Sequence, residues 1–193
     1  MSKKRPEIPD VDLIKSELDR VKYKSRYRSA LRGTVYTLVV VAAVAVLLAT
    51  IWLPFLKIYG TSMTPTLQDG EILCCVSTSE FETGDIVAFY YNNKILIKRV
   101  IGLPGDWINI DENGNVYVND KLLDEPYCQE KVLGECDIDL PYQVPSEKLF
   151  VLGDHRATSV DSRQEVVGCV EKEQIVGKAF LRIWPLNRLT VFE

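Results

Sequence analysis

The chain has 193 residues, 47% of them apolar, and a net charge of −4, so its length and apolar content suffice for one globular domain with a buried core. Its charges are unevenly distributed, because residues 1–33 carry ten basic against five acidic side chains and the rest carries 13 against 22. This acidic excess in the larger part argues against a nucleic-acid-binding domain, which would need a basic face to meet phosphate.

An uncharged segment of 22 residues, Thr34–Phe55, follows the basic part. As a helix it would be about 33 Å long at roughly 1.5 Å per residue, enough to cross a hydrocarbon core of ~30 Å. A cleavable signal peptide is the alternative, but its apolar core is shorter, at about 7 to 15 residues. The segment is therefore predicted to be an uncleaved transmembrane helix.

The charges around this segment predict its orientation. Only Lys57 follows it within a dozen residues, whereas six basic residues precede it: Arg20, Lys22, Lys24, Arg26, Arg28 and Arg32. Cytoplasmic flanks of membrane helices carry the excess of Lys and Arg. We therefore predict a cytoplasmic basic segment (1–33), a single membrane-spanning helix (34–56) in contact with membrane lipid, and an extracytoplasmic domain (57–193) on the outer side of the cell membrane.

Beyond the helix, the sequence changes to short runs rich in Val, Ile, Tyr and Phe, separated by turn dipeptides such as Asn92-Asn93 and Asn113-Gly114. The predicted strand segments are Gly70–Ser77, Asp85–Tyr91, Lys94–Gly102, Asp106–Ile110, Asn115–Val118, Lys148–Leu152 and Val166–Trp184. An irregular stretch at about 124–147 is predicted to be a loop insertion. The predicted fold class is therefore mainly β, with one N-terminal transmembrane helix followed by an antiparallel β-sheet domain.

The five cysteines fall into different settings. Cys74 and Cys75 are neighbours in a predicted strand, where they point to opposite faces and serve as small core residues. Cys128 and Cys136 lie in a polar loop on the predicted outer side, where oxidation is permitted, which makes them candidates for a disulfide. The cysteines and the only histidine, His155, do not have zinc-site spacing, and no metal or cofactor is predicted.

Three stretches carry residues suited to catalysis, and the first is Tyr59–Glu71. Gly60 allows close backbone approach, and Pro65 biases Thr64 toward extended conformations. Ser62 can then present its hydroxyl on an open edge as a nucleophile. A plain polar turn is the alternative, because Gly, Ser, Thr and Pro are common turn formers.

The second stretch contains a lysine that could activate this serine, whose hydroxyl is a weak nucleophile without a base. On the predicted strand Lys94–Gly102, Lys98 shares a face with Leu96 and Val100 and so has apolar neighbours. Desolvation lowers the pKa of a buried lysine, which must fall by about three units from roughly 10.4 to act as a base near pH 7 to 8. A lysine whose head group reaches solvent or pairs with an acid is the alternative.

The third stretch, Gly153–Arg163, has more hydrogen-bonding capacity than a plain loop requires. Its polar side chains include Asp154, Arg156, Thr158, Ser159, Asp161, Ser162 and Arg163. They can form a rigid network that supports a site, with Asp161 and Arg163 as an ion pair. An exposed turn rich in ion pairs is the alternative.

Together these stretches resemble the type I signal peptidases in their short, Gram-positive-like form. Ser62–Leu67 is similar to the nucleophile box of that family, and Thr83–Val87 to its structural box. Lys98–Asp106 is similar to the lysine box, and Gly153–Arg163 to the GDxRxxSxDSR box. The resemblance covers the apolar segment and most of the outer part, and the order of the boxes makes it specific.

The resemblance implies a membrane-anchored serine endopeptidase that removes signal peptides from secretory preproteins. The substrate would bind as an extended strand with small residues at −1 and −3 from the cut. Ser62 would attack the scissile carbonyl, Lys98 would be the general base, and Ser159 would orient the amine of the lysine. Asp161 and Arg163 would form a supporting ion pair.

Two residues depart from the pattern of the family. Gly60 stands where some members have a serine that helps to hold the oxyanion, so backbone amides in the Gly60 region and at Ser62 are the expected donors. His155 stands where the family commonly has Asn. Two other functions stay open: an anchored protease with a Ser–His–Asp arrangement of Ser62, His155 and Asp154 or Asp161, and a non-catalytic anchored β domain that binds peptides.

Overall fold

The computed structural model describes residues 11–192, so the first ten residues of the predicted cytoplasmic segment lie outside the described part. The chain divides into two compact units, one ending at Thr50 and the other beginning at Ile51.

Helix α1 spans Val11–Trp52 and is 42 residues long, so much of the predicted cytoplasmic segment is helical as well. The hydroxyl groups of Thr34 and Thr37 donate hydrogen bonds of 3.0 Å to carbonyl oxygens four residues earlier, which satisfies their polar groups within the helix. The helix ends two residues before Pro54, a residue that disfavours helical geometry at its predecessor. Among residues 11–192, α1 is the one helix long and apolar enough to cross a membrane.

The second unit consists mainly of short strands. Their bounds are β1 Phe55–Lys57, β2 Ile72–Val76, β3 Ile86–Tyr91, β4 Lys94–Gly102, β5 Trp107–Ile110, β6 Val116–Val118, β7 Lys121–Leu122, β8 Tyr142–Gln143, β9 Lys148–Leu152, β10 Val170–Glu171, β11 Ile175–Trp184 and β12 Thr190–Val191. Two 3-10 helices, Lys172–Gln174 and Leu186–Arg188, flank β11.

Eight strands form one sheet in the order β1-β2-β11-β3-β4-β9-β10, with β12 beside β11, and the other four form a sheet in the order β7-β6-β5-β8. Every pairing is antiparallel. The prediction of a mainly β fold with one N-terminal apolar helix is confirmed.

Strand β4 has two different halves. Residues 99–102 pair with β9 on one side, whereas residues 94–98 pair with β3 alone and leave one edge open. Strand β1 lies at the end of the large sheet and also has an open edge. The hairpin between β3 and β4 turns at Asn92, whose φ of 51° is one that Asn tolerates well.

The structure differs from the sequence-based prediction in several places. Strands β1, β7 and β12 were not predicted, and β1 begins at Phe55, within the predicted membrane helix 34–56. Val166–Trp184 does not form one run, because Gly168 has a φ of 60° and the 3-10 helix Lys172–Gln174 separates β10 from β11. The stretch 124–147 is not wholly irregular, because it contributes β8 to the small sheet.

Three apolar clusters form the core of the second unit. The first includes Met63 and Leu67, which lie on either side of the turn after Ser62 and pack with Leu73 and Cys75. The second lies between the small sheet and Phe150 of β9, and the third between β3, β4 and β9. The turn that carries Ser62 is therefore anchored in the core of the large sheet.

Candidate active site

Ser62 lies in a tight turn after β1. The amide of Thr64 donates to the carbonyl oxygen of Thr61 at 3.0 Å, and the amide of Leu67 donates to that of Met63 at 2.8 Å. Met63 and Leu67 are 2% and 0% exposed, so burial of their side chains holds the backbone in place while Ser62 stays partly exposed. The turn therefore presents the serine hydroxyl from a fixed backbone.

Lys98 is the partner of that hydroxyl. It lies on β4 opposite Val87, its side chain is 2% exposed, and its Nζ donates a hydrogen bond of 2.7 Å to Ser62 Oγ. Burial lowers the pKa of Lys98 to about 8, and the charges of Asp161, Arg163 and Asp154 act on it as smaller, partly opposing causes. At a pKa of about 8, roughly a tenth of this amine is neutral at pH 7, far more than for an ordinary lysine.

Ser159 is buried beside this pair but does not bond to the lysine. Its side chain is 5% exposed, and among residues 11–192 its Oγ has no hydrogen-bond partner. Its hydroxyl instead lies against Gly153, where an added Cβ would come within 2.2 Å of it. The predicted contact of Ser159 with the amine of Lys98 is thus not formed in this structure, where that amine donates to Ser62 Oγ.

Asp161 and Arg163 form a buried, bidentate ion pair. Arg163 Nε donates to Asp161 Oδ1 at 2.8 Å, and Arg163 Nη2 donates to Asp161 Oδ2 at 2.9 Å. The same carboxylate accepts the amide hydrogen of Gly153 at 3.0 Å, and Arg163 Nη2 also donates to the carbonyl oxygens of Arg156 and Ser159. The pair therefore fixes the backbone of the loop 153–163.

Asp154 binds an arginine that sequence reasoning did not select. Arg99, the residue after Lys98, donates from Nε and Nη2 to the two carboxylate oxygens of Asp154 at 2.9 and 2.7 Å. Arg99 Nη1 also donates to the carbonyl oxygen of Gly84, and the ring of Tyr127 lies 3.8 Å from its Cζ. This second bidentate pair ties the loop at Asp154 to the strand of the lysine.

Arg156 binds a second residue that was missed, Glu125 of the stretch 124–147. Arg156 Nη2 donates to Glu125 Oε1, and both side chains are at most 3% exposed. Arg156 Nε donates to the carbonyl oxygen of Gly153 at 3.1 Å. Glu125 lies in a polar loop, 31 residues before Arg156. Apart from its apolar neighbours Pro126 and Tyr127, nothing in the sequence indicates this contact.

The ring of His155 bonds away from Ser62. Its backbone amide donates to the carbonyl oxygen of Ser62 at 3.0 Å, whereas its Nδ1 lies 2.6 Å from Thr158 Oγ1. Asp154 and Asp161, the predicted acids of the Ser–His–Asp alternative, are bound by Arg99 and Arg163. The side chains of the serine, the histidine and the acids of that arrangement therefore bond to other residues and not to one another.

The amide of Gly60 does not have the predicted freedom to bind an oxyanion. It donates to Asp69 Oδ1 at 2.8 Å, and the φ of Gly60, 89°, places this turn in a backbone region that favours glycine. Ser62 lies in a turn, and its amide makes no hydrogen bond to another backbone group within residues 11–192. Of the two predicted donors, only Ser62 is open.

All five cysteines, which lie within the described residues, are free thiols, so the disulfide expected between Cys128 and Cys136 is not formed in this structure. Each thiol instead donates to a carbonyl oxygen two residues later, that of Glu130 at 3.4 Å and that of Ile138 at 3.9 Å. Burial also raises the pKa of Cys128, which makes its thiolate scarce. Within residues 11–192, no group of three or more His, Cys, Asp or Glu side chains is arranged to hold a metal ion.

A groove of about 760 Å³ begins at Ser62, a volume in the range of protein ligand pockets. Its two walls are the segments 56–63 and 93–97, and most of the lining side chains are apolar. The amide and carbonyl of Ile58 bond to the β2 side, so by alternation those of Lys57 face the open edge of β1. Val100 bonds to the β3 side, so the backbone groups of Ile95 and Ile97 face the open edge of β4.

Comparison with known proteins identifies a family and several relatives. The family model described as "Signal peptidase, peptidase S26" matches residues 31–184. A signal peptidase I of Bacillus licheniformis is 36% identical over 169 residues, which cover 78% of this chain and 88% of the relative. A signal peptidase IB of Staphylococcus aureus is 39% identical over 150 residues, 67% of this chain and 77% of the relative. The crystal structure of a signal peptidase I from Enterococcus faecalis V583 aligns with a TM-score of 0.45 and 28% identity, covering 53% of this chain and 98% of that one.

The matches define the class of this protein as a serine endopeptidase. The chain belongs to the signal peptidase family, peptidase S26.

Proposed function

We propose that this chain removes signal peptides from preproteins, with Ser62 as the nucleophile and Lys98 as the general base. The observation that carries the proposal is the hydrogen bond of 2.7 Å between Lys98 Nζ and Ser62 Oγ, at a lysine whose pKa burial lowers to about 8. A serine hydroxyl next to a base that is partly neutral is the arrangement that covalent peptide cleavage requires.

In the proposed reaction the neutral amine of Lys98 takes the hydroxyl proton while Ser62 Oγ attacks the scissile carbonyl. The resulting oxyanion can accept a hydrogen bond from the amide of Ser62, the open donor of this turn. The ammonium of Lys98 then protonates the leaving amine as the peptide bond breaks. A water molecule, deprotonated by Lys98 in its turn, releases the acyl group from Ser62.

The groove supports an extended substrate. Its two walls have open strand edges, at Lys57 on β1 and at Ile95 and Ile97 on β4, so backbone groups of a bound peptide can pair with both. Met63 and Ile58, which are 2% and 4% exposed, close the bottom of the groove near Ser62. We infer that this floor admits the small residues at −1 and −3 that the family resemblance implies.

The Ser–His–Asp alternative finds less support. An imidazole base would need a hydrogen bond to Ser62 Oγ and an acid behind it. Here the ring of His155 bonds to Thr158, and the nucleophile bonds to Lys98. His155 contacts Ser62 through its backbone amide. An asparagine at the same position would supply the same amide.

The pH profile of cleavage tests this assignment. With purified full-length protein in detergent and a preprotein with an Ala-x-Ala site, the rate should rise with pH, reach half its maximum near pH 8 and level off above about pH 9. Only the neutral form of Lys98 can accept the proton, and its pKa is lowered to about 8.

His155→Asn is the control in that experiment. It should keep most of the activity and the same rise in rate near pH 8. Within residues 11–192, the ring of His155 bonds only to Thr158, and its other polar contacts are made by its backbone, which asparagine also has. Loss of cleavage in a folded His155→Asn protein, or a limb that moves with this substitution, would contradict the Ser–Lys assignment.

We also propose that α1 anchors the protein in the cell membrane with its N-terminus in the cytoplasm. The length of α1 and the charge bias around Thr34–Phe55 support this orientation. Protease added to intact cells stripped of their wall should therefore digest the chain beyond Lys57 and spare the basic segment. Protection of the outer unit in intact cells, with digestion only after lysis, would reverse the proposed topology.

A further inference from the structure

We infer that Glu125 and Tyr127, from the stretch 124–147, are positioning residues for the Ser62–Lys98 pair. This inference rests on the proposed function, since it concerns the same pair. The two side chains hold two arginines, Arg156 and Arg99, from one short segment, Glu125-Pro126-Tyr127.

The first path runs from Glu125 to the backbone of the nucleophile. Glu125, 3% exposed, accepts a hydrogen bond from Arg156 Nη2, and Arg156 Nε donates to the carbonyl oxygen of Gly153 at 3.1 Å. Gly153 packs so closely on the nucleophile turn that an added Cβ would lie 2.6 Å from the carbonyl oxygen of Ser62. A shift of Gly153 toward this turn would therefore displace the backbone of Ser62.

The second path runs from Tyr127 to the strand of the lysine. The Tyr127 ring lies 3.8 Å from Arg99 Cζ, a cation–π contact at a partly desolvated guanidinium. Arg99 follows Lys98 on β4 and forms a bidentate pair with Asp154. The hydroxyl of Tyr127 also donates to Glu125 Oε1 at 3.3 Å, which joins the two paths at one carboxylate.

The charges explain why Glu125 in particular is needed. Arg156 is 2% exposed, and its guanidinium makes hydrogen bonds only with Glu125 and the Gly153 carbonyl within the described residues. Lys131 Nζ lies 3.7 Å from Glu125 Oε2, but its side chain is about one third exposed, so it can turn to solvent. Without the carboxylate, Arg156 would be a buried and unpaired charge that has to move, and Gly153 would move with it.

The test uses Glu125→Gln in the full-length protein, because glutamine has nearly the same shape but cannot neutralise Arg156. The matched control is Glu112→Gln, an exposed glutamate of the β5–β6 turn. We expect kcat for an Ala-x-Ala preprotein to fall at least about tenfold, with KM within about twofold, at a temperature where circular dichroism shows both variants folded. The limb near pH 8 should stay in place, because the charges that act on Lys98 are those of Asp161, Arg163 and Asp154.

Four further variants make the test specific. The double variant Glu125→Gln/Arg156→Gln should be no slower than Arg156→Gln alone, because both substitutions interrupt one path. Tyr127→Phe, which keeps the ring against Arg99, should retain most of the activity, and Tyr127→Leu should lose several-fold in kcat. A wild-type kcat in folded Glu125→Gln, a limb that moves, or additive losses in the double variant would each overturn the positioning role.

The outcomes also separate this inference from the proposed function. If the wild type cleaves and Ser62→Ala does not, the Ser62 mechanism holds whatever Glu125→Gln does. If Ser62→Ala cleaves as fast as the wild type, the proposed function fails, and the positioning role of Glu125 and Tyr127 fails with it.

Discussion

Replacement of Lys98 by alanine should lower kcat by at least about 10³-fold, within the range that a general base contributes. Nothing else among the described residues can take the proton, because Lys98 Nζ is the side-chain group that bonds to Ser62 Oγ. The measurement is single-turnover cleavage of an Ala-x-Ala preprotein at pH 8 to 9. Ser62→Ala should lose as much, and the double variant no more, because nucleophile and base act as a unit.

Lys98→Met distinguishes lost chemistry from lost folding. Methionine is unbranched and of similar length, and it removes an amine whose burial disfavours its charged form. We expect this variant to be at least as stable as the wild type in thermal unfolding at pH 7 and still to be inactive. An inactive variant that is also markedly less stable would point to a structural role for Lys98.

The candidate site residues each have a local signature, but the signatures alone left alternatives open. Ser62 lies between a glycine and a proline, and Lys98 alternates with apolar residues on a strand, yet a polar turn and a solvent-reaching lysine fit the same patterns. The resemblance to the signal peptidases assigned the two residues their roles. Strands β2, β3, β4 and β9 of the large sheet were predicted to within a few residues because of their β-rich composition, whereas β1 and β12 were not predicted. That Ser62 and Lys98 meet depends on β1, β2, β11, β3 and β4 lying in one sheet, an order that no local pattern contains.

The ion pair of Asp161 and Arg163, two residues apart, was predicted, but two other supporting contacts were not predictable because their partners are distant in the sequence. Arg99 and Asp154 are 55 residues apart, and Glu125 and Arg156 are 31 apart. Buried carboxylates and guanidinium groups look the same in a sequence as exposed ones, and only the fold decides which are desolvated. Glu125, placed in a loop insertion by its polar surroundings, is in fact 3% exposed.

Two of the expected contacts are not formed in this structure, for a geometric reason. A backbone amide of the Gly60 region was expected to bind the oxyanion, but the amide of Gly60 donates to Asp69 Oδ1 at 2.8 Å. Ser159 was expected to orient Lys98, but its hydroxyl lies against Gly153 and has no partner within residues 11–192. In both cases the residue lies near the site, as predicted, but the local backbone conformation directs its polar atom away from the expected partner.

Gly153 is the position where the smallest addition should have a large effect on the enzyme. An added methyl group would lie 2.2 Å from Ser159 Oγ and 2.6 Å from the carbonyl oxygen of Ser62. Rotation of the Ser159 side chain would move its Oγ but not its Cβ, which would lie 2.5 Å away. The carbonyl belongs to the nucleophile and accepts the hydrogen bond from the His155 amide. Gly102→Ala is the matched control, because its Cβ would meet Ile108 Cδ1 at 2.5 Å in the core of the small sheet.

Both alanine variants should be less stable by about 1 to 3 kcal/mol, the usual cost of overpacking, which thermal unfolding can measure. Only Gly153→Ala should also lower kcat, by about 100-fold, because a displacement of roughly 1 Å at the reacting group is enough for such a loss. Its pH limb should stay near 8, because the charges around Lys98 are unchanged. Equal kcat values in the two variants, measured on folded protein, would show that the Ser62 turn absorbs the added methyl group and that Gly153 does not determine where the nucleophile lies.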